Sequence, residues 1–205
     1  KNGEAIYERD TVCFFKEDYR WPLLSSLLLI AQNNDSRLRV MDFGGSLGSF
    51  YNQHKKYMRG IKDLKWYIVE QEHFVECGKS EFETEVLRFR RTISECFNEC
   101  PIDAVLLFGV IQYLESPYSI MSDIFSANPN FILIDRTPFI NKDNDMIKNQ
   151  YTPLTKGGGC YPSWFFSKEK FLSSFKEAGY DCLIEFDCDE SFPVGDFKGM
   201  FFRKC

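Results

Sequence analysis

From Leu38 onward the chain alternates short apolar runs with helix-period segments, and that alternation restricts it to a largely parallel sheet wrapped by helices. Leu38–Phe43 (LRVMDF), Leu64–Glu70 (LKWYIVE), Val86–Arg91, Ile102–Gly109 (IDAVLLFG) and Phe131–Asp135 read as strands. Runs that are apolar throughout belong inside a sheet covered on both faces. Between them Phe50, His54, Tyr57 and Met58 share one helical face, and Gln71–Ser80 reads as a second helix. Ser116-Pro117 opens another, carried inward by Ile120, Met121, Ile124 and Phe125. A last helix starts at Ser167, buries Phe171, Leu172, Phe175 and Ala178, and stops at Gly179. Asp181–Asp187 and Gly199–Arg203 follow with no helix between them, which makes them an antiparallel pair. The expectation is a doubly wound, mostly parallel seven-stranded α/β sheet with an antiparallel last strand.

A chain of 205 residues suits one domain. Residues 1–37 are expected to form an N-terminal helical cap, in which Trp21–Ala31 is a buried helix too short to span a membrane. Residues 38–205 would be the main domain. Within it, residues 137–166 carry Pro138, Pro153, Gly157-Gly158-Gly159 and Pro162 and show no period, so they are expected to be a lid or binding loop. A net charge of −5 argues against nucleic acid or an anionic membrane as partner. The 8 cysteines include no C-x-x-C and no companion histidine pair, which points to free thiols in the cytoplasm and to no metal centre. The 21 phenylalanines supply a thick core, an apolar pocket, or both.

The chemistry gathers at Asp42-Phe43-Gly44-Gly45-Ser46-Leu47-Gly48, where a strand enters a Gly-rich turn and then a helix. Such a turn lets a ligand approach the backbone. Glu70 ends the next strand, 22 residues after Gly48, where an acid in a doubly wound fold accepts hydrogen bonds from a ribose. Turn and acid together indicate a nucleoside-bearing cofactor.

VMDFGGSLGSF resembles the first motif of class I S-adenosylmethionine-dependent methyltransferases. Asp42 matches its acid, Gly44 and Gly48 match its first and third glycines, and Ser46 replaces the middle one. IVEQEHFVECGK is similar to the second-strand motif, with Glu70 as the ribose acid and Gln71 beside it. VLLFGVIQYLESP resembles the fourth-strand motif, with Gly109 at the cofactor and Gln112 at a place often polar or His. FSKEKFLSSFKEAGY resembles the penultimate helix and its Gly stop. More narrowly, DFGGSLGS, VEQEHFVECG, IQYLESP and IDRTPF together resemble a little-characterised bacterial family of methyltransferase-like proteins, often encoded near surface-polysaccharide genes. The likeness runs over roughly Tyr7 to Cys205. It implies S-adenosylmethionine as methyl donor and S-adenosylhomocysteine as product, held by Asp42, Gly44, Gly45, Ser46, Gly48, Glu70, Gln71 and Gly109.

A sulfonium methyl is already electrophilic, so the protein mainly has to align it with a nucleophile. A hydroxyl nucleophile also needs a proton acceptor. Asp135, at the end of the fifth strand, and His54, on the first helix, are the candidate bases. Gln112, Tyr113, Tyr161 and Trp164 are expected to line the acceptor pocket under residues 137–166, and Tyr7 and Arg9 to close over the cofactor's carboxylate. The acceptor is expected to be a small or carbohydrate-type molecule methylated on a hydroxyl. Two alternatives stand beside this reading. One is a non-catalytic binding protein of the same fold. The other is a nicotinamide-dependent sugar-modifying enzyme, against which count the absence of G-x-G-x-x-G and of a suitably placed Tyr-x-x-x-Lys. No Asn/Asp-Pro-Pro-Tyr follows the fourth strand, which disfavours methylation of nucleic-acid amino groups.

Overall fold

The computed structural model describes residues 5–9, 12–152, 158–192 and 195–205. The first elements are a short hairpin of β1 (Tyr7–Arg9) and β2 (Val12–Phe14), then helix α1 (Trp21–Gln32). The alternating core follows as β3 (Arg37–Phe43), α2 (Ser49–Met58), β4 (Asp63–Val69), α3 (Glu72–Glu81), β5 (Leu87–Arg90) and α4 (Ile93–Glu99). Its second half is β6 (Ala104–Phe108), α5 (Pro117–Ala127) and β7 (Phe131–Ile140). Strands β8 (Met146–Thr152) and β9 (Gly159–Ser167), helix α6 (Lys168–Glu177), and strands β10 (Tyr180–Phe192) and β11 (Gly195–Lys204) complete it.

Seven strands run in the order β10-β11-β7-β6-β3-β4-β5. The β3, β4, β5, β6 and β7 neighbours pair in parallel, and β11 is antiparallel to both β7 and β10. This is the expected sheet. Its two faces separate by the period of two along each strand. Val40, Trp66, Ile68 and Leu106 pack against α1, α2 and α3 through Leu23, Phe50 and Val75. Met41, Tyr67, Val69 and Val105 face α4, α5 and α6 through Cys96, Met121 and Phe171. The chain leaves β3 first toward β4 and β5 and later returns on its other side as β6 and β7. The crevice at the carboxyl ends of β3 and β6 is therefore the topological switch point, where ligands of such sheets bind.

Three segments differ from expectation. The first 37 residues are not helical alone: Tyr7 pairs with Phe14 across the β1–β2 hairpin, rings stacked at 4.7 Å. Three-residue strands are too short to show a period. Residues 137–166 are not one irregular loop. β7 continues to Ile140, and β8 and β9 form an antiparallel ribbon joined to β7 only at Phe139↔Phe166 and Ile140↔Ser167. Most of the ribbon's outer half is exposed on both faces, so the burial alternation that marks a strand never forms. Pro162 sits there opposite Asn149, in the part of β9 that pairs with β8 alone. Of the expected hinge, Gly157 lies outside the described residues, while Gly158 and Gly159 lead into β9. Finally, helix α4 occupies a stretch where no helix is expected: seven residues hold barely two turns, and its one signal is Thr92, which caps it by accepting the Glu95 N–H.

No helix among the described residues is long and apolar enough to cross a membrane. All eight cysteines are free thiols.

Candidate active site

A cleft of about 560 Å³ opens at the switch point. Its floor is the Gly-rich turn between β3 and α2, one wall is the end of β4, and the opposite wall is the β6 end with its following turn. The turn closes tightly because Gly44 adopts φ +72°, and a Cβ there would meet Val110 Cγ2 at 2.4 Å. Gly45 packs onto the Asp42 carboxyl, where a Cβ would come within 2.7 Å. Ser46, in place of the resemblance's middle glycine, takes φ +52°, so the turn keeps its left-handed shape despite the side chain. Gly48, at φ +85°, leads into α2 and stands behind the cleft rather than in its wall.

Glu70 reaches back over this turn. Its Oε1 accepts the Ser46 backbone N–H at 3.2 Å, and its Oε2 accepts the Gln71 N–H at 2.8 Å. Both carboxylate oxygens retain a further lone pair for hydroxyl donors in the cleft. Several of the turn's amides are already bonded: Gly44 N–H goes to Val69 O at the end of β4, and the Gly48 and Ser49 amides go to Gly45 O. The turn therefore offers a close-packed backbone surface, and Glu70 offers the hydrogen-bonding charge. Asp42 lies beneath, buried, accepting the Trp66 indole N–H at 3.1 Å. Burial, with a smaller contribution from nearby Glu70, pushes its carboxyl up to about 7.

On the opposite wall, Gln112 is buried and donates its Nε2 to Arg136 O at 3.0 Å. Its Oε1 is buried without a hydrogen-bond partner. Tyr113 donates its phenol to Gln150 Oε1 at 3.0 Å, and burial holds that phenol above the ordinary tyrosine range. Gly109, Gln112 and Tyr113 thus join Asp42, Gly44, Gly45, Ser46, Glu70 and Gln71 in one cleft. Tyr161 stands behind Tyr113, edge to face at 5.4 Å, and Trp164 bonds Leu114 O and stacks on Phe166. They buttress the cleft instead of lining it. The lining residues that sequence reasoning missed include Phe108, Arg136, Gln150, Arg91 and Phe197. Arg136 carries one signal, its place directly after Asp135 at the end of a central strand.

Both candidate bases are corrected. His54 is fully buried, and each ring nitrogen serves the backbone: Nδ1–H donates to Phe50 O at 2.9 Å, and Nε2 accepts Arg20 N–H at 3.0 Å. Burial lowers its pKa to about 4, so it stays a neutral structural strut. Asp135 is also fully buried, locked by a two-pronged Arg20 guanidinium at 2.8 Å on each oxygen. Its Oδ1 also accepts the Arg136 N–H at 2.8 Å and the Cys188 thiol at 3.0 Å. It anchors and is not a cleft base. Tyr7 is buried against Phe14, and the side chain of Arg9 lies outside the described residues.

Asp42 and His54 act oppositely on stability. Asp42 is raised from 3.8 to about 7, so its contribution is present below its unfolded pKa and is lost as pH rises through 7. His54 is lowered from 6.5 to about 4, so its contribution is present above 6.5 and is lost as pH falls through 4. Asp42→Asn keeps the Trp66 bond and removes one titration. Relative to the parent it is expected to gain about 2 kcal/mol between about pH 5 and about pH 8. Urea unfolding at the two pH values measures the difference; a gap that does not change with pH contradicts the assignment.

No family model and no curated protein matches the sequence. Among solved structures, the chain is similar to the N-terminal domain of EvdMO1, determined with S-adenosylhomocysteine and D-fucose. That match has a TM-score of 0.61 and 14% identity over 97% of this chain and 90% of the other. Magnesium protoporphyrin IX methyltransferase from Synechocystis PCC 6803, with bound S-adenosylmethionine, gives 0.58 and 12% over 98% and 88%. An S-adenosylmethionine-dependent methyltransferase from Mesorhizobium loti gives 0.59 and 10% over 90% and 97%. At this level of identity the likeness is one of architecture: the chain has the fold of the class I S-adenosylmethionine-dependent methyltransferases.

Proposed function

We propose that the protein is an S-adenosylmethionine-dependent methyltransferase acting on a small acceptor of the carbohydrate type. The observation that carries this is Glu70 clamped over the Gly-rich turn, in a cleft at the switch point of a methyltransferase-fold sheet. The residues fit the cofactor. Glu70 presents acceptor lone pairs for the ribose hydroxyls, with Gln71 beside it. The close-packed backbone of Gly44, Gly45 and Ser46 admits the amino-acid end, and Gly109 flanks the opposite side. Gln112 Oε1, buried and unpartnered, supplies an acceptor for an N–H or O–H donor. The cofactor, when bound, supplies an electrophilic methyl on a sulfonium.

The protein's own contribution is then alignment and exclusion of water. The acceptor would enter beside Gln112, Tyr113 and Gln150, with the β8–β9 ribbon behind them. The D-fucose in the EvdMO1 structure supports a sugar-sized acceptor in this fold. Calorimetric titration is expected to show binding of S-adenosylmethionine and S-adenosylhomocysteine and none of NAD. Binding of NAD in place of both would overturn the reading and return the nicotinamide alternative.

A further inference from the structure

A second cavity, of about 420 Å³, lies at the far end of α2 and β4 from the cleft. Ser49 and Phe50, at the start of α2, and Val69, at the end of β4, line the cleft. Lys55 and Met58, in the last turn of α2, and Asp63, at the start of β4, line the second cavity. The seven residues of β4, at about 3.3 Å each, put the two roughly 20 Å apart.

In a chain of net charge −5, this cavity is basic. Lys55, Arg59, Lys62 and Lys65 line it, against the carboxylates of Asp63 and Glu85. Asp63 is already held at 2.7 Å by Arg39, which lies outside the lining. A cation at the end of a helix complements the carbonyls there, and that accounts for Lys55 and for Arg59, the cap residue of α2. It does not account for Lys62 and Lys65, which follow on the connecting turn and on β4. Lys55 Nζ donates to Asn52 Oδ1 at 3.1 Å and Lys65 Nζ to Glu85 O at 2.8 Å, and each ammonium keeps further donors. Among the described residues, neither the Arg59 nor the Lys62 side chain has a hydrogen bond or ion pair. The Lys62 backbone is pinned all the same, its N–H shared between Ser36 O at 3.0 Å and Ser36 Oγ at 3.1 Å.

Between the cations the lining is apolar, from Ile61, Leu64 and Val86. Tyr51 joins them, its ring 5.8 Å from that of buried Trp66. Burial holds its phenol above the ordinary tyrosine range, so it stays a hydrogen donor at neutral pH. Solvated lysines on a plain surface need neither a cavity nor an apolar floor. A phosphate monoester with an organic body uses both. Its dianion takes several donors, best with a guanidinium among them, and its body takes a shelf.

We infer that this cavity binds a small organic phosphate, its phosphoryl group facing Arg59 and Lys62 and its body resting on Tyr51, Ile61 and Leu64. Such binding does not depend on the methyltransferase reading above, whose cleft it leaves untouched.

Calorimetric titration at about pH 8, where a phosphate monoester is a dianion, tests it with phenyl phosphate, inorganic phosphate and benzoate. Inorganic phosphate lacks the body, and benzoate lacks the second charge. Phenyl phosphate is expected to bind with a Kd below about 1 mM, and at least about 10-fold more tightly than either of the others. Its affinity should fall as sodium chloride is raised. Arg59→Gln/Lys62→Gln should weaken it at least about 10-fold. Both side chains are exposed, so the double variant should melt within about 2 °C of the parent. Lys62→Glu alone, which turns attraction into repulsion, should weaken binding more than Lys62→Gln does. Saturating S-adenosylhomocysteine should leave the phenyl phosphate affinity unchanged. Four results overturn the inference: no binding of phenyl phosphate, equal binding of benzoate or inorganic phosphate, parent-like affinity in the charge variants, or displacement by S-adenosylhomocysteine. Parent protein that binds phenyl phosphate but not S-adenosylhomocysteine overturns the methyltransferase reading and leaves this site standing.

Discussion

Arg20→Met is expected to lower the free energy of unfolding by about 3–5 kcal/mol. The cost comes from what is left behind. Asp135 is fully buried, and two of its strongest partners are the Nε and terminal nitrogen of one guanidinium. Removing them leaves a buried carboxylate with only the Arg136 amide and the Cys188 thiol. Arg20 Nε–Asp135 is an ion pair whose basic side chain is 14% exposed and whose acidic side chain is 0% exposed, so solvent screens it little. Urea denaturation measures the loss. The double variant Arg20→Met/Asp135→Leu should recover most of it, because replacing both members of a buried pair with apolar groups removes the stranded charge. A single variant within about 0.5 kcal/mol of the parent would show that the pair is not formed in solution.

Glu70→Ala is expected to weaken S-adenosylhomocysteine binding by at least about 10-fold, and by up to about 100-fold if both ribose hydroxyls bond the carboxylate. Glu70 also tethers Ser46 N–H, so the alanine variant loses a restraint on the turn as well as a ligand contact. Glu70→Gln separates the two effects. An amide oxygen can still accept from Ser46 or from Gln71, but it carries no charge and accepts at only one of its two terminal atoms. The glutamine variant should therefore fall between parent and alanine. Calorimetry gives the affinities, and far-UV circular dichroism with thermal melting confirms the fold. Parent-like affinity in a folded Glu70→Ala would remove Glu70 from the cofactor site.

Much of the sheet is readable in the chain because its central strands are buried on both faces. Val105, Leu106 and Leu107 are all inaccessible, and a run of that kind advertises itself without any partner being known. The Gly-rich turn and Glu70 are legible for a related reason: their spacing follows from the length of one βα unit. The features that escaped reading are those made by contacts distant in sequence. Arg20 and Asp135 are 115 residues apart, and Tyr113 and Gln150 are 37 apart. Neither residue of such a pair leaves a local pattern. Asp135 was legible as a carboxylate at the ligand edge of a strand, but its burial beneath Arg20 was not, and that burial decides its role. His54 was legible as a residue on an apolar helix face. The backbone amide that occupies its second nitrogen comes from an element 34 residues earlier.

The β8–β9 ribbon meets the main sheet through just two residue pairs, Phe139↔Phe166 and Ile140↔Ser167. Mechanically it is a propped cantilever, clamped at one end, with the paired residues Gln150 and Tyr161 resting on Tyr113 further along. Load or sequence change on its outer span reaches the β3–β4–β6 platform through the clamp and through the contacts of Gln150 and Tyr161 with Tyr113 and of Trp164 with Leu114. Substitution at the exposed positions 147–149, 151, 160 and 162 is therefore expected to cost the β3–β4–β6 platform little. The outer span and the platform are thus parts of one sheet that tolerate change to different degrees.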